Sequence, residues 1–215
     1  MKYSFFAGSK GRTMLALVML CGASPVLALG TPAYSISGSD FFGSDRPVTV
    51  GFKFTAESAS NLTALGYHDE GLDGLFNAHD VGLYDLSGTL LASATVPDGT
   101  TGDLIGEYRY VTLGSAYALT AGTQYVLAAH TSAGDGYRYG FVPPITLTVD
   151  PLISIADDAS LYVYGSGLAF PTAFAGYDIY ATPNMLLSPV PEPETYALLL
   201  VGLGLIGFTL RNKKA

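Results

Sequence analysis

The segment Val48-Thr-Val-Gly-Phe-Lys-Phe54 carries the alternation from which the fold class can be predicted. Large apolar side chains alternate along it with smaller or polar residues, among them Thr49 and Lys53. Successive side chains of a β-strand point to opposite faces of the sheet, so this alternation collects the apolar groups on one face. The stretch therefore predicts a strand with one face in a hydrophobic core.

Short segments of similar composition follow this strand, and turn-forming residues such as Pro97-Asp98-Gly99 separate them. We predict further strands at residues 62–67, 81–84, 90–96, 108–113, 124–130, 137–141, 145–149, 161–164 and 177–180. The Gly-rich segment 165–174 predicts a loop. Many short strands without a segment of helical period are typical of all-β proteins. We therefore predict an antiparallel β-sandwich, of jelly-roll or lectin-like type, over residues 29–189.

The predicted sandwich region is strongly acidic. Residues 29–190 hold 16 acidic and 4 basic residues, which gives a formal charge of −12. Binding of nucleic acid requires clustered Lys and Arg side chains, so we expect no nucleic-acid partner. The single cysteine, Cys21, precedes this region. That placement excludes disulfides, thiolate metal sites and a cysteine nucleophile in the sandwich.

The first 28 residues have the pattern of a secretory signal peptide. Lys2, Lys10 and Arg12 precede an apolar run at residues 14–20, and a Val-Leu-Ala sequence suited to cleavage ends at Ala28. We therefore predict export through the Sec machinery and removal of residues 1–28.

The last 26 residues, 190–215, have three parts in a fixed order. A stiff segment that prolines keep extended comes first and consists of Val190, Pro191, Glu192 and Pro193. A basic end comes last and contains Arg211, Lys213 and Lys214. Between them we predict a hydrophobic transmembrane helix at residues 195–210. Its apolar part, 196–210, would rise about 22 Å. That is short of the roughly 30 Å hydrocarbon core of a bilayer and suits a temporary anchor. The basic tail, 211–215, is expected to stay on the cytoplasmic side.

This tail resembles the PEP-CTERM sorting signal of Gram-negative bacteria that produce exopolysaccharide. The resemblance rests on the Val-Pro-Glu-Pro-Glu sequence that starts at Val190, the Gly-interrupted apolar run 198–208 and the basic end. It implies recognition near Pro191 by an exosortase and transient anchoring in the membrane. Release to the cell surface or the extracellular matrix would follow.

A second resemblance lies in the strand region. It rests on the sequence Asp-Val-Gly-Leu-Tyr-Asp at 80–85 and on the segments 88–96, 108–111 and 119–129. These segments are similar to the DUF4082 domains of extracellular bacterial proteins. The resemblance implies a lectin-like β-sandwich of the kind attached to carbohydrate-active or surface proteins. It carries over no catalytic residues.

The polar stretch 67–80 joins two predicted strands and is the richest in potential ligands. Carboxylate and backbone oxygens of such a loop can wrap Ca²⁺. The candidate Ca²⁺ ligands are Asp69, Glu70, Asp73 and Asp80. His68 and His79 with one carboxylate are an alternative set, for Zn²⁺. A solvated loop in which Asp and Asn form turns explains the same composition without a metal, and we expect no cofactor.

Two other patterns are weaker candidates for chemistry. Asp157 and Asp158 are adjacent carboxylates, which on a strand point to opposite faces and do not converge as a glycosidase requires. Tyrosines two positions apart, such as Tyr108 and Tyr110, share a strand face. There they can stack on sugar rings or support neighbouring strands.

These observations predict a non-enzymatic protein of the cell surface or extracellular matrix. It would be a structural or glycan-adhering component of an exopolysaccharide biofilm. The alternative is a Ca²⁺-dependent lectin or a carbohydrate-active enzyme that uses the 68–80 loop.

Overall fold

The structure is a computed structural model, and it describes residues 30–38, 40–42, 46–140, 146–156, 159–176, 179–190 and 199–204. Its strands in chain order are β1 (Thr31–Pro32), β2 (Tyr34–Ser37), β3 (Asp40–Phe42), β4 (Val48–Ala56), β5 (Ser60–His68), β6 (His79–Asp85), β7 (Leu90–Val96), β8 (Asp103–Ile105), β9 (Tyr108–Leu119), β10 (Gln124–Thr131), β11 (Tyr137–Gly140), β12 (Thr146–Val149), β13 (Ile153–Ser154), β14 (Ser160–Tyr164), β15 (Ala173–Phe174), β16 (Ile179–Tyr180) and β17 (Pro183–Pro189). A 3₁₀ turn, Glu70–Leu72, follows β5.

Two antiparallel sheets form the body of the protein. The five-stranded sheet has the order β1-β17-β5-β9-β8. The seven-stranded sheet has the order β15-β14-β4-β10-β6-β7, with β13 also beside β4. Leu65 and Leu186 of the first sheet lie in one buried cluster with Phe52, Leu83 and Leu127 of the second. The prediction of an all-β antiparallel sandwich is confirmed.

β4 contains the alternating stretch from which the fold is predicted. Phe52 and Phe54 are buried on its inner face. Their partners across the ladder are Leu127 and Tyr125 of β10, so the two strands present their large side chains to the core together. The ring centroids of Phe54 and Tyr125 are 5.7 Å apart and the rings are stacked. Cross-strand pairs of this kind are the unit of sheet stabilisation.

The outer face of β4 is covered as well, by the segment 165–170. The hydroxyl of Thr49 donates to Gly167 O at 3.2 Å and accepts from Ala169 N at 3.2 Å. The ring of Phe170 lies 5.6 Å from that of Tyr84 in β6. The predicted loop is therefore a packed cover for the sheet.

β17 is a central strand that the sequence pattern does not reveal. It lies between β1 and β5, and its first five residues are buried. A strand covered on both faces shows no alternation, and Pro183 and Pro189 at its ends resemble turn signals. Polar groups inside it are satisfied by β2: Asn184 Nδ2 donates to Tyr34 O at 3.0 Å, and the Tyr34 hydroxyl donates to Pro183 O at 2.6 Å.

Two smaller sheets complete the fold, β16-β11-β3 and the ribbon β12-β2. Tyr180 of β16 packs on Val48 and Val50 at the start of β4. β11 carries Arg138, whose guanidinium reaches His68 at the end of β5.

The predicted sorting elements lie mostly outside the described residues. The signal peptide 1–28, the Pro191-Glu192-Pro193 tripeptide and the basic tail 211–215 all do. Of the predicted helix 195–210, the structure describes residues 199–204, which are helical. Within the ranges given above, no helix has the length and apolar character needed to cross a bilayer. Val190, which follows β17, is exposed.

The loop between β5 and β6, residues 69–78, crosses from the five-stranded to the seven-stranded sheet. The turn between β10 and β11, residues 132–136, meets it there through hydrogen bonds from Phe76 and Asn77 to Asp135. Loops held by a rigid sandwich are common positions for binding residues, and the candidate site lies at this junction.

Candidate functional site

A cavity of about 350 Å³ opens between the 69–78 loop and the 132–136 turn. Its lining combines acidic side chains, the backbone of glycines, one histidine and one phenylalanine. The lining residues are His68, Glu70, Asp73, Gly74, Leu75, Phe76, Gly99, Gly134, Asp135 and Gly136. Among these described lining residues there is no Lys or Arg, so the charge of the cavity wall is negative.

Asp69, one of the candidate Ca²⁺ ligands, forms a buried ion pair. Arg109 Nε of β9 donates to Asp69 Oδ2 at 2.7 Å, and both side chains are almost fully buried. The Gly74 amide donates to the same carboxylate at 3.2 Å. Asp69 therefore folds the loop back on itself and fastens it to β9.

The Nη1 group of Arg109 connects the 69–78 loop to residues 99–102. Nη1 donates to Thr100 O at 3.1 Å and to Gly102 O at 3.2 Å. A backbone bridge between Leu75 and Gly99 adds bonds of 3.1 and 2.7 Å. These contacts hold the loop rigidly against residues 99–102.

The tip of the loop is strained and apolar. Leu72 has a φ of 61°, and of the residues that the structure describes it is the one non-glycine with a positive φ. Its side chain is 48% exposed. A left-handed conformation costs a non-glycine residue roughly 1–3 kcal/mol and persists only where the surroundings enforce it. The Leu72 amide donates to Asp69 O at 3.3 Å, and Arg109 Nη2 donates to Leu72 O at 3.5 Å. Strain of this kind clusters at binding sites.

Phe76 presents an aromatic ring at the mouth of the cavity, and its side chain is 75% exposed. The ring lies directly against Gly134, where any side chain would collide with it. Gly134 also has a φ of 109°, so glycine is required there for two reasons. The amides of Phe76 and Asn77 donate to the Asp135 carboxylate at 2.9 and 2.7 Å. The exposed ring therefore sits on a fixed backbone.

Asp135 is itself held by His79. His79 Nε2 lies 2.9 Å from Asp135 Oδ2, and Nδ1 lies 3.0 Å from His130 O. Both neighbours are acceptors, so both hydrogen bonds form only when the imidazole carries two protons. Its ring stacks on Tyr67 at 3.8 Å with an interplanar angle of 8°. Partial burial alone would raise the pKa of Asp135, but hydrogen bonds from His79 and from the Phe76 and Asn77 amides lower it below the usual value.

His68 lines the cavity and contacts Arg138. Arg138 Nη1 lies 3.0 Å from His68 Nε2, and because arginine only donates, this nitrogen accepts. Arg138 also pairs with Glu107. Burial and the positive charge of Arg138 lower the pKa of His68 to about 4, against the opposing effect of Glu107. His68 is therefore neutral near neutral pH.

The four candidate Ca²⁺ ligands do not converge. Glu70 and Asp73 line the cavity, Asp69 is paired with Arg109, and Asp80 accepts from Thr95 Oγ1 on β7 at 2.6 Å. Across the described part of the chain, no group of three or more metal-ligating side chains could hold an ion. The Ca²⁺ prediction stays a prediction, with two of its four residues engaged elsewhere.

The candidate Zn²⁺ ligands and the paired tyrosines make contacts within the fold. His68 and His79, the alternative Zn²⁺ ligands, have separate partners in Arg138 and Asp135. Tyr108 and Tyr110 are buried in the core, which is the supporting role rather than sugar stacking. Asp157 and Asp158 lie outside the described residues.

The residues that shape the cavity mouth are absent from the predicted set. Phe76 lies within the polar stretch 67–80, and an aromatic ring among acids and glycines is a signal that could have indicated it. Asp135 carries no local signal, because its partners precede it by 56 to 59 positions. Leu72 is distinguished by its positive φ angle, which the sequence does not indicate.

Comparison with known proteins bears on the same region. The family model described as "Domain of unknown function (DUF4082)" matches residues 37–181, which is more than half of the chain. This chain belongs to the DUF4082 family. Both site loops lie inside the DUF4082 match, whereas the central strand β17 follows it. The resemblance predicted from the strand segments is confirmed.

The chain also contains a match to the PEP-CTERM protein-sorting motif, at residues 189–214. The predicted sorting signal is thereby confirmed. The motif indicates that this DUF4082 protein is exported and sorted to the cell surface by an exosortase in a Gram-negative bacterium.

Two further comparisons add little to the DUF4082 assignment. No curated protein matches the chain. A solved structure described as "Structure of a family 35 carbohydrate binding module from an environmental isolate" is similar at 17% identity and a TM-score of 0.31, over 61% of this chain and 94% of that one. That likeness is too weak to bear on fold or ligand.

Proposed function

We propose that the DUF4082 domain is a non-catalytic glycan-adhering module of the extracellular matrix, and that it binds through the junction of the 69–78 loop and the 132–136 turn. The observation that carries the proposal is the Phe76 ring, 75% exposed yet fixed at the mouth of a polar cavity.

An aromatic face beside polar groups suits a pyranose ring. The C–H face of a sugar packs on the aromatic ring, and its hydroxyls find carboxylates and backbone groups nearby. Glu70 and Asp73 provide such acceptors on one wall of the cavity, and Gly134 and Gly136 bring backbone close on the other. The pattern of one aromatic anchor with a few placed polar groups is that of a binding pocket.

The rigidity of the junction also favours binding. Phe76 is fixed by the amide bonds to Asp135, and Asn77 Nδ2 donates to Ala133 O at 2.7 Å. The two loops are thus joined to each other before any ligand arrives. Preorganisation of this kind lowers the entropy that a ligand must overcome on binding.

The sorting signal supplies the location in which such a module would act. After Sec export, the helix predicted from sequence at 195–210 would anchor the protein transiently, with Arg211, Lys213 and Lys214 on the cytoplasmic side. Cleavage near Pro191 would release the domain to the exopolysaccharide. β17 ends at Pro189 and Val190 is exposed, so a cut beyond Val190 leaves the five-stranded sheet whole.

The test is the binding of the exported protein to exopolysaccharide purified from the same host, by calorimetry or affinity electrophoresis. Phe76→Ala is expected to weaken binding about tenfold, equivalent to 1.4 kcal/mol. Phe174→Ala is the matched control, because Phe174 is another exposed phenylalanine, 54% accessible, on strand β15, and it does not line the cavity. Equal binding by Phe76→Ala and wild type would contradict the proposal. Release of sugar fragments during incubation would favour an enzyme.

A further inference from the structure

We infer that this site selects amino sugars with a free ammonium group over acidic and N-acetylated glycans. The inference rests on the proposed glycan-binding function and adds the chemical class of the ligand. It is carried by the charge and size of the cavity beneath Phe76.

The cavity wall carries negative charge without a compensating cation. Glu70 and Asp73 line it and are exposed. In the described portion of the chain, neither carboxylate forms a salt bridge, since the pairs found are His79–Asp135, Arg109–Asp69 and Arg138–Glu107. A ligand that brings its own positive charge would neutralise them.

The arginines nearest the cavity are committed behind its wall. Arg109 is almost fully buried against Asp69, and Arg138 pairs with Glu107 and contacts His68. Neither is among the described residues that line the cavity. A uronic acid or a sulfated sugar would therefore meet carboxylates with no guanidinium to receive its own charge, and like charges repel.

His79 does not reverse this balance. Its ring is buried, and its two nitrogens face Asp135 and the His130 carbonyl. Its contact to Asp135 leaves the carboxylates of Glu70 and Asp73 outside the ion pairs found among the described residues. The cavity wall thus presents these two carboxylates to a ligand.

The size of the cavity agrees with recognition of a single sugar unit. A volume of about 350 Å³ lies at the lower end of small-ligand pockets. The lining includes one phenyl ring, that of Phe76, so the cavity suits one pyranose stacked on Phe76 with its amine directed to Glu70 and Asp73. An ammonium group donates three hydrogen bonds, and carboxylates accept them with added strength from charge.

The experiment compares two probes that differ only in the acetyl group: short glucosamine oligomers and the N-acetylglucosamine oligomers of the same length. The processed protein from the host is titrated with each at low and high salt. We expect the glucosamine oligomer to bind about tenfold more tightly at low salt, and the difference to shrink at high salt because salt screens exposed charges. An oligogalacturonate is expected to bind more weakly than either.

Two double variants separate the site from the general acidity of the protein. Glu70→Gln with Asp73→Asn should abolish the preference for the amine, because the Gln and Asn side chains still accept hydrogen bonds from sugar hydroxyls but carry no charge. Asp80→Asn with Asp103→Asn removes the same number of charges from exposed positions outside the cavity and should keep the preference.

The outcomes are distinct. Equal binding of the two oligomers, or a preference that survives Glu70→Gln with Asp73→Asn, overturns the amino-sugar inference. If Phe76→Ala still weakens both oligomers in that case, the proposed function stands. Binding that is insensitive to Phe76→Ala overturns the site as well.

Discussion

The carboxylate of Asp69 and the guanidinium of Arg109 form an ion pair beneath the candidate site, with 2.7 Å between Oδ2 and Nε. The pair links the loop that carries Leu72 and Phe76 to strand β9. Asp69 thus has a structural role, although by sequence it looks like a metal ligand. The stability of the site loop should depend on this pair.

We predict that Asp69→Asn destabilises the protein by about 3–5 kcal/mol, because it leaves the Arg109 charge buried without a partner. Urea unfolding followed by tyrosine fluorescence measures this change, since the chain contains no tryptophan. Asp80→Asn is the control, with an exposed carboxylate on β6, and should stay within about 0.5 kcal/mol of wild type. A loss below 1 kcal/mol for Asp69→Asn would show that the pair contributes little.

Stability should fall between pH 6.5 and pH 4, because the pKa of His68 is lowered from 6.5 to about 4 in the folded protein. In this window the unfolded chain takes up a proton that the folded chain does not. The free energy of unfolding should therefore decrease by about 3 kcal/mol as the pH falls across it. The lowered pKa of Asp135 adds a loss at still lower pH, below its ordinary value of 3.8.

His68→Gln tests this assignment, because the Gln carbonyl can accept from Arg138 but does not titrate. Its unfolding free energy, measured by urea titration at several pH values, should vary less than that of wild type between pH 6.5 and 4. An unchanged slope would assign the acid sensitivity to other groups.

Removal of divalent metal should leave glycan binding unchanged. Ca²⁺ takes about 6–8 oxygen ligands, and Asp69 and Asp80 are engaged with Arg109 and Thr95. Binding to exopolysaccharide in the presence of EDTA, compared with added CaCl₂, measures the effect. A loss of binding with EDTA that Ca²⁺ restores would support the alternative of a Ca²⁺-dependent lectin.

The mature protein should lack both ends of the chain. Intact-mass analysis of protein exported by the native host is expected to show loss of residues 1–28 and of the segment beyond the neighbourhood of Pro191. Replacing Pro191 and Pro193 with Ala should leave the C-terminal segment attached, because both prolines belong to the matched sorting motif. An intact tail on the wild-type protein would identify a permanently anchored form.

The fold was more accessible from sequence than the site. β4 shows an alternating pattern, because the rings of Phe52 and Phe54 lie on its inner face whereas Thr49 and Lys53 lie on the other. β17 shows none, because its first five residues are all buried. Two-residue strands such as β1 are too short to show a period.

The site depends on contacts between distant parts of the chain. Asp69 and Asp80 are residues of a type that binds metal ions. Their actual partners are Arg109, 40 positions from Asp69, and Thr95, 15 positions from Asp80. Phe76 is positioned by Gly134 and Asp135. The amides of Phe76 and Asn77 bind the Asp135 carboxylate, which lies 59 and 58 positions later in the chain. No local pattern contains those pairings, since sheet topology creates them.

Glycan is expected to bind at the junction of the 69–78 loop and the 132–136 turn. NMR mapping of the backbone amides during titration with fragments of the host exopolysaccharide locates the binding surface. The largest shifts should fall on residues 70–77 and 133–136, and they should vanish in Phe76→Ala. Shifts concentrated elsewhere on the sandwich, with these two loops unchanged, would contradict it.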